Sequence, residues 1–297
     1  KNDGVGIIYI SHRIEEIFEI GDRVTVLRDG RKIITEEIGS VSRDLLIKYM
    51  IGRELTGDFP KNTMTRKSEI LRIENIQTEK LRNINLSLYE GEVLGLAGLV
   101  GSGRTELAQI IFGADPIISG NVYINNQKIE INSPKEAIDH GIALLTEDRN
   151  LYGLFTELSV RENISISNLK SLLNGMFIDK KKEISDSKNL IEKLKIKTPS
   201  TETIVENLSG GNRQKVVLAR WLYTDSKILI FDEPTAGIDI SVKYDIYNLI
   251  KQLVVDGIGV IVISSDLPEL IGICNRIVVM CEGEITGILE ENEIDAV

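Results

Sequence analysis

Apolar residues along this chain follow three rhythms, and each predicts a different kind of element. Short, almost unbroken apolar runs occur in "GIIYIS" (6–11), "VLGLA" (93–97), "KILIF" (227–231) and "GVIVI" (259–263). Runs of that length and purity predict strands buried on both faces of a parallel sheet. Strict alternation in "EILRIENIQ" and "LRNINLSLY" predicts antiparallel strands, one face in and one face out. Helical spacing in "ISDSKNLIEKLKI", "KVVLARWLY" and "VKYDIYNLIKQLVVDG" predicts amphipathic helices. From about residue 90 onward helices and buried strands take turns. The expected fold is therefore α/β: a parallel-sheet core, an antiparallel subdomain before it and a helical subdomain near 154–214.

The same pattern also repeats. The stretch "GVGIIYISHRIEEIFEIGDRVTVLRDG" (4–30) aligns without a gap on "GIGVIVISSDLPELIGICNRIVVMCEG" (257–283), 253 residues further on. Ten of the aligned positions are identical, including Ser11/Ser264, Glu16/Glu269, Arg23/Arg276 and Gly30/Gly283, and several others exchange one aliphatic residue for another. A duplicated domain accounts for this better than two units that converge on similar physics. The organisation expected is a C-terminal remnant of a first copy (1–51), a polar linker (52–68) and a complete second copy (69–297). The remnant holds too little apolar surface for a core of its own, so it is expected to pack on the second copy or on another chain.

Composition narrows the partners. With 45 acidic and 35 basic side chains the net charge is −10, which argues against a nucleic-acid partner. Cys274 and Cys281 lack further metal ligands nearby and read as buried free thiols. No apolar run has the length of a membrane span, so the expected chain is soluble.

Three motifs carry candidate chemistry. "GLVGSGRT" (Gly98, Leu99, Val100, Gly101, Ser102, Gly103, Arg104, Thr105) follows an apolar strand and opens a helix. Its glycines let successive backbone N–H groups turn inward, and the helix start adds positive potential, making a nest for phosphates. Thr105 offers a hydroxyl to Mg²⁺, and Arg104 stands where such loops carry Lys, giving a planar fork in place of a compact ammonium. "KILIFDEPT" puts Asp232 and Glu233 at the end of a buried strand, where open parallel sheets bind ligands. Asp232 suits a metal role, and Glu233, on an extended backbone, suits polarising an attacking water. "LSGGNRQKVVLARWL" opens a second helix with Ser209, Gly210 and Gly211, again an anion-binding start.

Phosphate loop, "LSGGN", "DEPT", "AGID" and "ISSD" stand in the order found in ATP-binding cassette ATPases, which the chain resembles over about residues 69–291. More narrowly, "GLVGSGRTEL", "TEDR", "SVRENI" and "LSGGN" resemble the second cassette of the fused double-cassette ATPases of ribose-type and other simple-sugar importers, and the opening remnant resembles the end of their first cassette. The resemblance implies a RecA-like P-loop NTPase core and hydrolysis of ATP with Mg²⁺. It assigns residues 98–105 and Glu106 to nucleotide binding, and Thr105, Asp232 and Glu147 to the metal. Glu233, Glu147 and Ser265 would serve catalysis. Ser209, Gly210 and Gly211 would close the facing site, with Asp239 in the loop between sites. Implied partners are the first cassette of the same full-length chain, transmembrane permease subunits, with residues 147–163 expected to meet them, and, indirectly, an extracytoplasmic sugar-binding protein. The implied location is peripheral, on the cytoplasmic face of the cell membrane.

Four positions depart from the general cassette pattern. Arg104 replaces Lys, Glu147 replaces Gln, Ser265 replaces a His that its aligned partner His12 retains, and "IENIQTEKLRN" offers no aromatic to stack on adenine. They leave an alternative: a mainly regulatory nucleotide-binding cassette, with hydrolysis carried by the first one. A cassette acting on ribosomes or DNA is disfavoured by the acidic balance. His140 reads as a helix-end residue, and Trp221 as packing of the signature helix.

Overall fold

The computed structural model describes residues 4–11, 14–28, 30–51, 67–148, 152–238 and 240–294. The expected linker, His12 and Asp239 lie wholly or almost wholly outside them. The chain forms two compact units, Lys1–Asp58 with Ile238–Asp245, and Phe59–Gly237 with Ile246–Val297.

The first unit contains α1 (Ile14–Ile20), β1 (Arg23–Arg28), β2 (Arg31–Glu37) and α2 (Arg43–Ile51). Strands β1 and β2 pair antiparallel. A small core of Ile14, Val24, Val26, Val41, Leu46 and Ile47 is extended by partly buried neighbours such as Ile17, Phe18 and Ile34 and, from later in the chain, by Ile240 and Tyr244. One expectation fails here. "GIIYIS" is not a strand: Gly6–Ser11 takes no regular structure, and Ile8 and Ile10 are 91% and 92% exposed. A strand forms only where a neighbouring strand takes up its backbone hydrogen bonds, and no described residue pairs with this one.

The second unit begins with the antiparallel strands β3 (Glu69–Gln77) and β4 (Ile84–Tyr89), then β5 (Val93–Ala97) and helix α3 (Arg104–Ile111). Strands β6 (Ser119–Ile124) and β7 (Gln127–Ile129) complete a four-stranded antiparallel sheet in the order β4-β3-β6-β7. Helix α4 (Pro134–Asp139) leads to β8 (Ile142–Leu145). The helical subdomain holds α5 (Val160–Ser165), α6 (Lys180–Lys193) and α7 (Gly210–Leu222), with a two-residue ribbon of β9 (Leu173–Asn174) and β10 (Phe177–Ile178) that helical periodicity did not anticipate. The chain then alternates β11 (Ile228–Asp232), α8 (Ile240–Val255), β12 (Gly259–Ile263) and α9 (Leu267–Ile273). It closes with β13 (Arg276–Cys281), β14 (Glu284–Leu289) and α10 (Glu291–Ile294).

The central sheet runs β14-β13-β5-β12-β11-β8, with β13, β5, β12, β11 and β8 mutually parallel and β14 antiparallel at the edge. Every residue of β5, β8, β11 and β12 is buried, the physical reason those segments read as apolar runs. Leu94, Leu96, Ile230, Ile261 and Ile263 share one core with Leu71, Ile73 and Leu88 of the antiparallel sheet. Trp221 packs edge-on to Phe112 at 5.6 Å between ring centroids, and His140 caps α4, both as expected. Of the two thiols only Cys274 is buried. Cys281, the last residue of β13, is exposed, because the strand there leaves the sheet for a turn.

The sequence repeat extends to backbone detail. Hairpins β1–β2 and β13–β14 share one register: Val26 pairs with Ile34 as Val279 pairs with Gly287, and both ladders shift after that pair. The bulge falls at aligned positions, 253 residues apart.

Candidate functional site

Strand β5 delivers the chain from the core into the loop 98–103, and α3 carries it away. Gly103 caps that helix at φ +102, a conformation L side chains rarely adopt, and a Cβ there would come within 2.6 Å of Leu81 Cδ2. At Gly98 a Cβ would collide with the Met280 carbonyl. Glycine is thus required at both ends of the loop, at Gly98 by the approach of a backbone carbonyl and at Gly103 by its positive φ. The tip is open, with Leu99 and Val100 exposed, whereas Ser102 is buried and its Oγ has no partner among the described residues.

Strand β11 ends on Asp232, and Glu233 then turns into the left-handed region at φ +47. The extended backbone expected at Glu233 is therefore corrected: the chain must leave the sheet at once, and it does so in a strained conformation for a residue with a side chain. Asp232 is buried, its Oδ1 has no partner among the described residues, and the Thr105 hydroxyl stands near enough to favour its ionised form. Burial pushes its pKa up to about 6, with the charges of Glu147 and Glu233 adding to the rise. Glu233 is also raised, first by burial, while Ser265 and Arg104 oppose the shift.

Arg104 and Ser265, two of the positions that depart from the cassette pattern, converge on Glu233. Ser265 Oγ donates to Glu233 Oε2 at 3.3 Å, and Arg104 Nη2 stands 3.9 Å from Glu233 Oε1. Arg104 is buried and its Nη1 donates to the Ser264 carbonyl at 2.6 Å. Glu147 lies exposed just past β8, near enough for its charge to act on both Asp232 and Glu233. Glu106 accepts from Lys80 Nζ at 2.8 Å, which holds its carboxyl below the usual range.

The loop 98–105, Glu147, Asp232, Glu233 and Ser265 are thus gathered at the C-terminal ends of β5, β8, β11 and β12. Ser209, Gly210 and Gly211 are not gathered there. Ser209 caps α7 from an extended backbone and its Oγ accepts from Asn212 at 2.9 Å, and no hydrogen bond or ion pair among the described residues joins these three to the loop. Three contacts had no reading from sequence: Gln214 Nε2 donates to the Pro234 carbonyl at 3.0 Å, Ser264 receives Arg104, and Glu269 gathers hydroxyl groups behind the strand ends. Only the last had a signal, the recurrence of Ser and Glu at 11 and 16.

The arrangement suits a nucleotide phosphate with a hard divalent cation. A buried carboxylate oxygen without a donor, beside a threonine hydroxyl, is costly alone and complementary to such an ion. No group of three or more His, Cys, Asp and Glu forms a metal site among the described residues.

Known proteins agree with this geometry. The chain is similar to the galactose/methyl galactoside import ATP-binding protein MglA of Clostridium tetani (47% identity, 99% of this chain, 59% of the relative). It is similar to the ribose import ATP-binding protein RbsA of Clostridium tetani (48%, 99% and 58%) and the xylose import ATP-binding protein XylG of Thermoanaerobacter pseudethanolicus (46%, 99% and 60%). The chain spans about three fifths of the length of these curated relatives. Among solved structures, the ADP conformation of MJ1267, an ATP-binding cassette of an ABC transporter, superposes with a TM-score of 0.66 at 29% identity, covering 78% of this chain and 95% of that one. The dimeric post-hydrolysis state of the cassette MJ0796 bound to ADP and Pi gives 0.64 at 25% identity, covering 75% and 99%. The ABC transporter family profile matches residues 81–236, more than half of the chain and the span that holds the phosphate loop, Ser209–Gly211 and Asp232–Glu233. By that match, and by the loop and acid pair it encloses, the chain belongs to the ABC transporter family.

Proposed function

We propose that this chain is part of the ATPase subunit of a simple-sugar importer, carrying the tail of a first cassette (1–51), a linker (52–68) and a second cassette (69–297). The observation that carries the two-cassette reading is the duplicated hairpin, which repeats its sequence, register and bulge at one offset. Relatives of greater length named for galactose, ribose and xylose import support the sugar class. ATP is the substrate. Its phosphates would lie on the backbone of 98–105 and the first turn of α3, with Arg104 as counter-charge. Thr105 and Asp232, with Glu147 nearby, would hold Mg²⁺, which when bound supplies charge neutralisation at the phosphates. Glu233, raised by burial, would orient and polarise the attacking water, assisted by Ser265. Ser209–Gly211 would close the site of the other cassette. Permease subunits, met by residues 147–163, and a sugar-binding protein would complete the importer at the cytoplasmic face of the membrane.

The test is reconstitution of the full-length protein with its permease in proteoliposomes, with sugar and binding protein supplied on the opposite side. Phosphate release is expected to rise with a pentose or hexose and to fall at least about tenfold in E233Q. Turnover unchanged by E233Q would remove the catalytic role proposed here, and turnover indifferent to every simple sugar would remove the importer reading.

A further inference from the structure

Behind the strand ends that present Glu233 and Ser265 lies a buried carboxylate that the proposed chemistry does not use. Glu269, on α9, is 1% exposed. Thr235 Oγ1 donates to it at 3.0 Å from Oε1 and 3.1 Å from Oε2. Ser264 Oγ donates to Oε2 at 2.5 Å, and the Tyr247 hydroxyl hydrogen-bonds to the same carboxyl group. Thr235 and Ser264 are buried as well.

Thr235 stands two residues after Glu233, and Ser264 immediately before Ser265. Glu269 therefore ties the chain leaving β11 to the chain leaving β12. The tie reaches each group that meets Glu233. Ser264 gives its carbonyl to Arg104, and its Oγ accepts the Asp266 N–H at 3.0 Å. The Glu233 N–H itself reaches back to the Ile263 carbonyl at 2.9 Å, and the Ala236 N–H closes the turn on the Glu233 carbonyl at 3.1 Å. A residue at φ +47 persists only where its surroundings over-determine it, and this carboxylate is a large part of those surroundings. The first copy repeats the device. Ser11 Oγ donates to Glu16 Oε2 at 3.0 Å and Tyr9 to the same oxygen at 2.6 Å, although the adjoining segment there is exposed. The Ser–Glu link thus forms without the sheet around it, so it is a local feature in its own right and not a by-product of core packing.

We propose that Glu269 is a positioning residue: its carboxylate locks Thr235 and Ser264 together and so sets the separation between Glu233 and Ser265. The functional half of this rests on the ATPase reading, and the structural half does not. E269Q keeps the size of the side chain but turns a donor toward hydroxyl groups that themselves donate, and T235V removes one hydroxyl with no change of shape. Both are made in the full-length protein, with T235S as the conservative control. Amide exchange at Ala236 and Asp266 is expected to accelerate at least about tenfold in E269Q and T235V, with the centres of β11 and β12 unchanged. Phosphate release should show kcat lower by about tenfold or more with ATP affinity within about threefold, since small misplacement of a reacting group costs rate before binding. T235S should restore both. Unaltered exchange at both amides overturns the proposal. So does loosened exchange with unchanged kcat, or a loss confined to affinity and melting temperature. If the parent protein hydrolyses no ATP, that failure belongs to the proposed function, and the exchange measurement still decides the tie.

Discussion

Residues 4–37 and 257–290 align as two versions of one unit, and they differ most in the fate of their leading apolar run. The hairpins share register and bulge, Gly30 and Gly283 turn at φ +73 and +79, and the Ser–Glu hydrogen bond forms in both. Yet Ile8 is 91% exposed where its aligned counterpart Ile261 is fully buried. Hairpin, turn and side-chain link are closed by contacts within about thirty residues, so they form wherever the segment is present. The parallel strand is not. Strand β12 is paired by β5 and β11, which lie far from it in sequence or across a helix, and no described residue pairs with 4–11. Burial of one Ile side chain is worth about 1.5–3 kcal/mol, so three such residues left outside forfeit several kcal/mol that the second copy gains.

The largest expected effect follows from that pair. I261D in this chain should abolish folding, since an unpaired charge in the sheet costs more than about 5 kcal/mol. I8D should leave the unfolding midpoint unchanged here. In the full-length protein I8D should become as damaging as I261D, and urea titration of the four samples checks both statements. Next comes Arg276, whose guanidinium grips the fully buried Glu92, itself an acceptor for the Tyr89 N–H at 2.8 Å. R276M should cost about 3–5 kcal/mol by stranding that carboxylate, whereas R23M at the aligned, exposed position should cost nothing measurable by the same titration.

The third effect concerns the acid pair, which only the second copy contains. With its pKa at about 6 against an ordinary 3.8, Asp232 binds protons more readily folded than unfolded. Without nucleotide or magnesium, stability should therefore rise as pH falls from about 6 to about 4, and carry the full penalty above 6, roughly 3 kcal/mol at most. D232N should flatten this slope, leaving the smaller part due to Glu233, and be the more stable protein at pH 7, while losing magnesium-dependent nucleotide affinity. Melting temperatures across that range measure the slope.

Much of this was legible in the sequence, for physical reasons. Uniformly apolar runs gave away β5, β11 and β12 because both faces are covered, and the alternation of β3 and β4 announced an antiparallel sheet. The glycines of 98–103 were readable because Gly98 and Gly103 lie where a Cβ collides. What escaped depended on surroundings. The same apolar signal that marks β12 failed at "GIIYIS", because a run encodes a wish for burial and not the neighbours that grant it. The left-handed turn at Glu233 and its convergence with Arg104 and Ser265 were invisible, since three residues far apart in the chain meet only in space. Cys281 looked like Cys274 in composition and differs by standing at the strand's end.

The central claim is that residues 4–11 are an interior strand of a first cassette in the full-length protein. Amide hydrogen exchange tests it most directly, with segments 4–11 and 257–264 followed in this chain and in the full-length protein. Segment 257–264 is expected to be slow in both, while 4–11 exchanges within seconds in this chain and becomes as slow as its counterpart in the full-length protein. Fast exchange of 4–11 in both would contradict it, since the duplicated segment would then have no sheet to join.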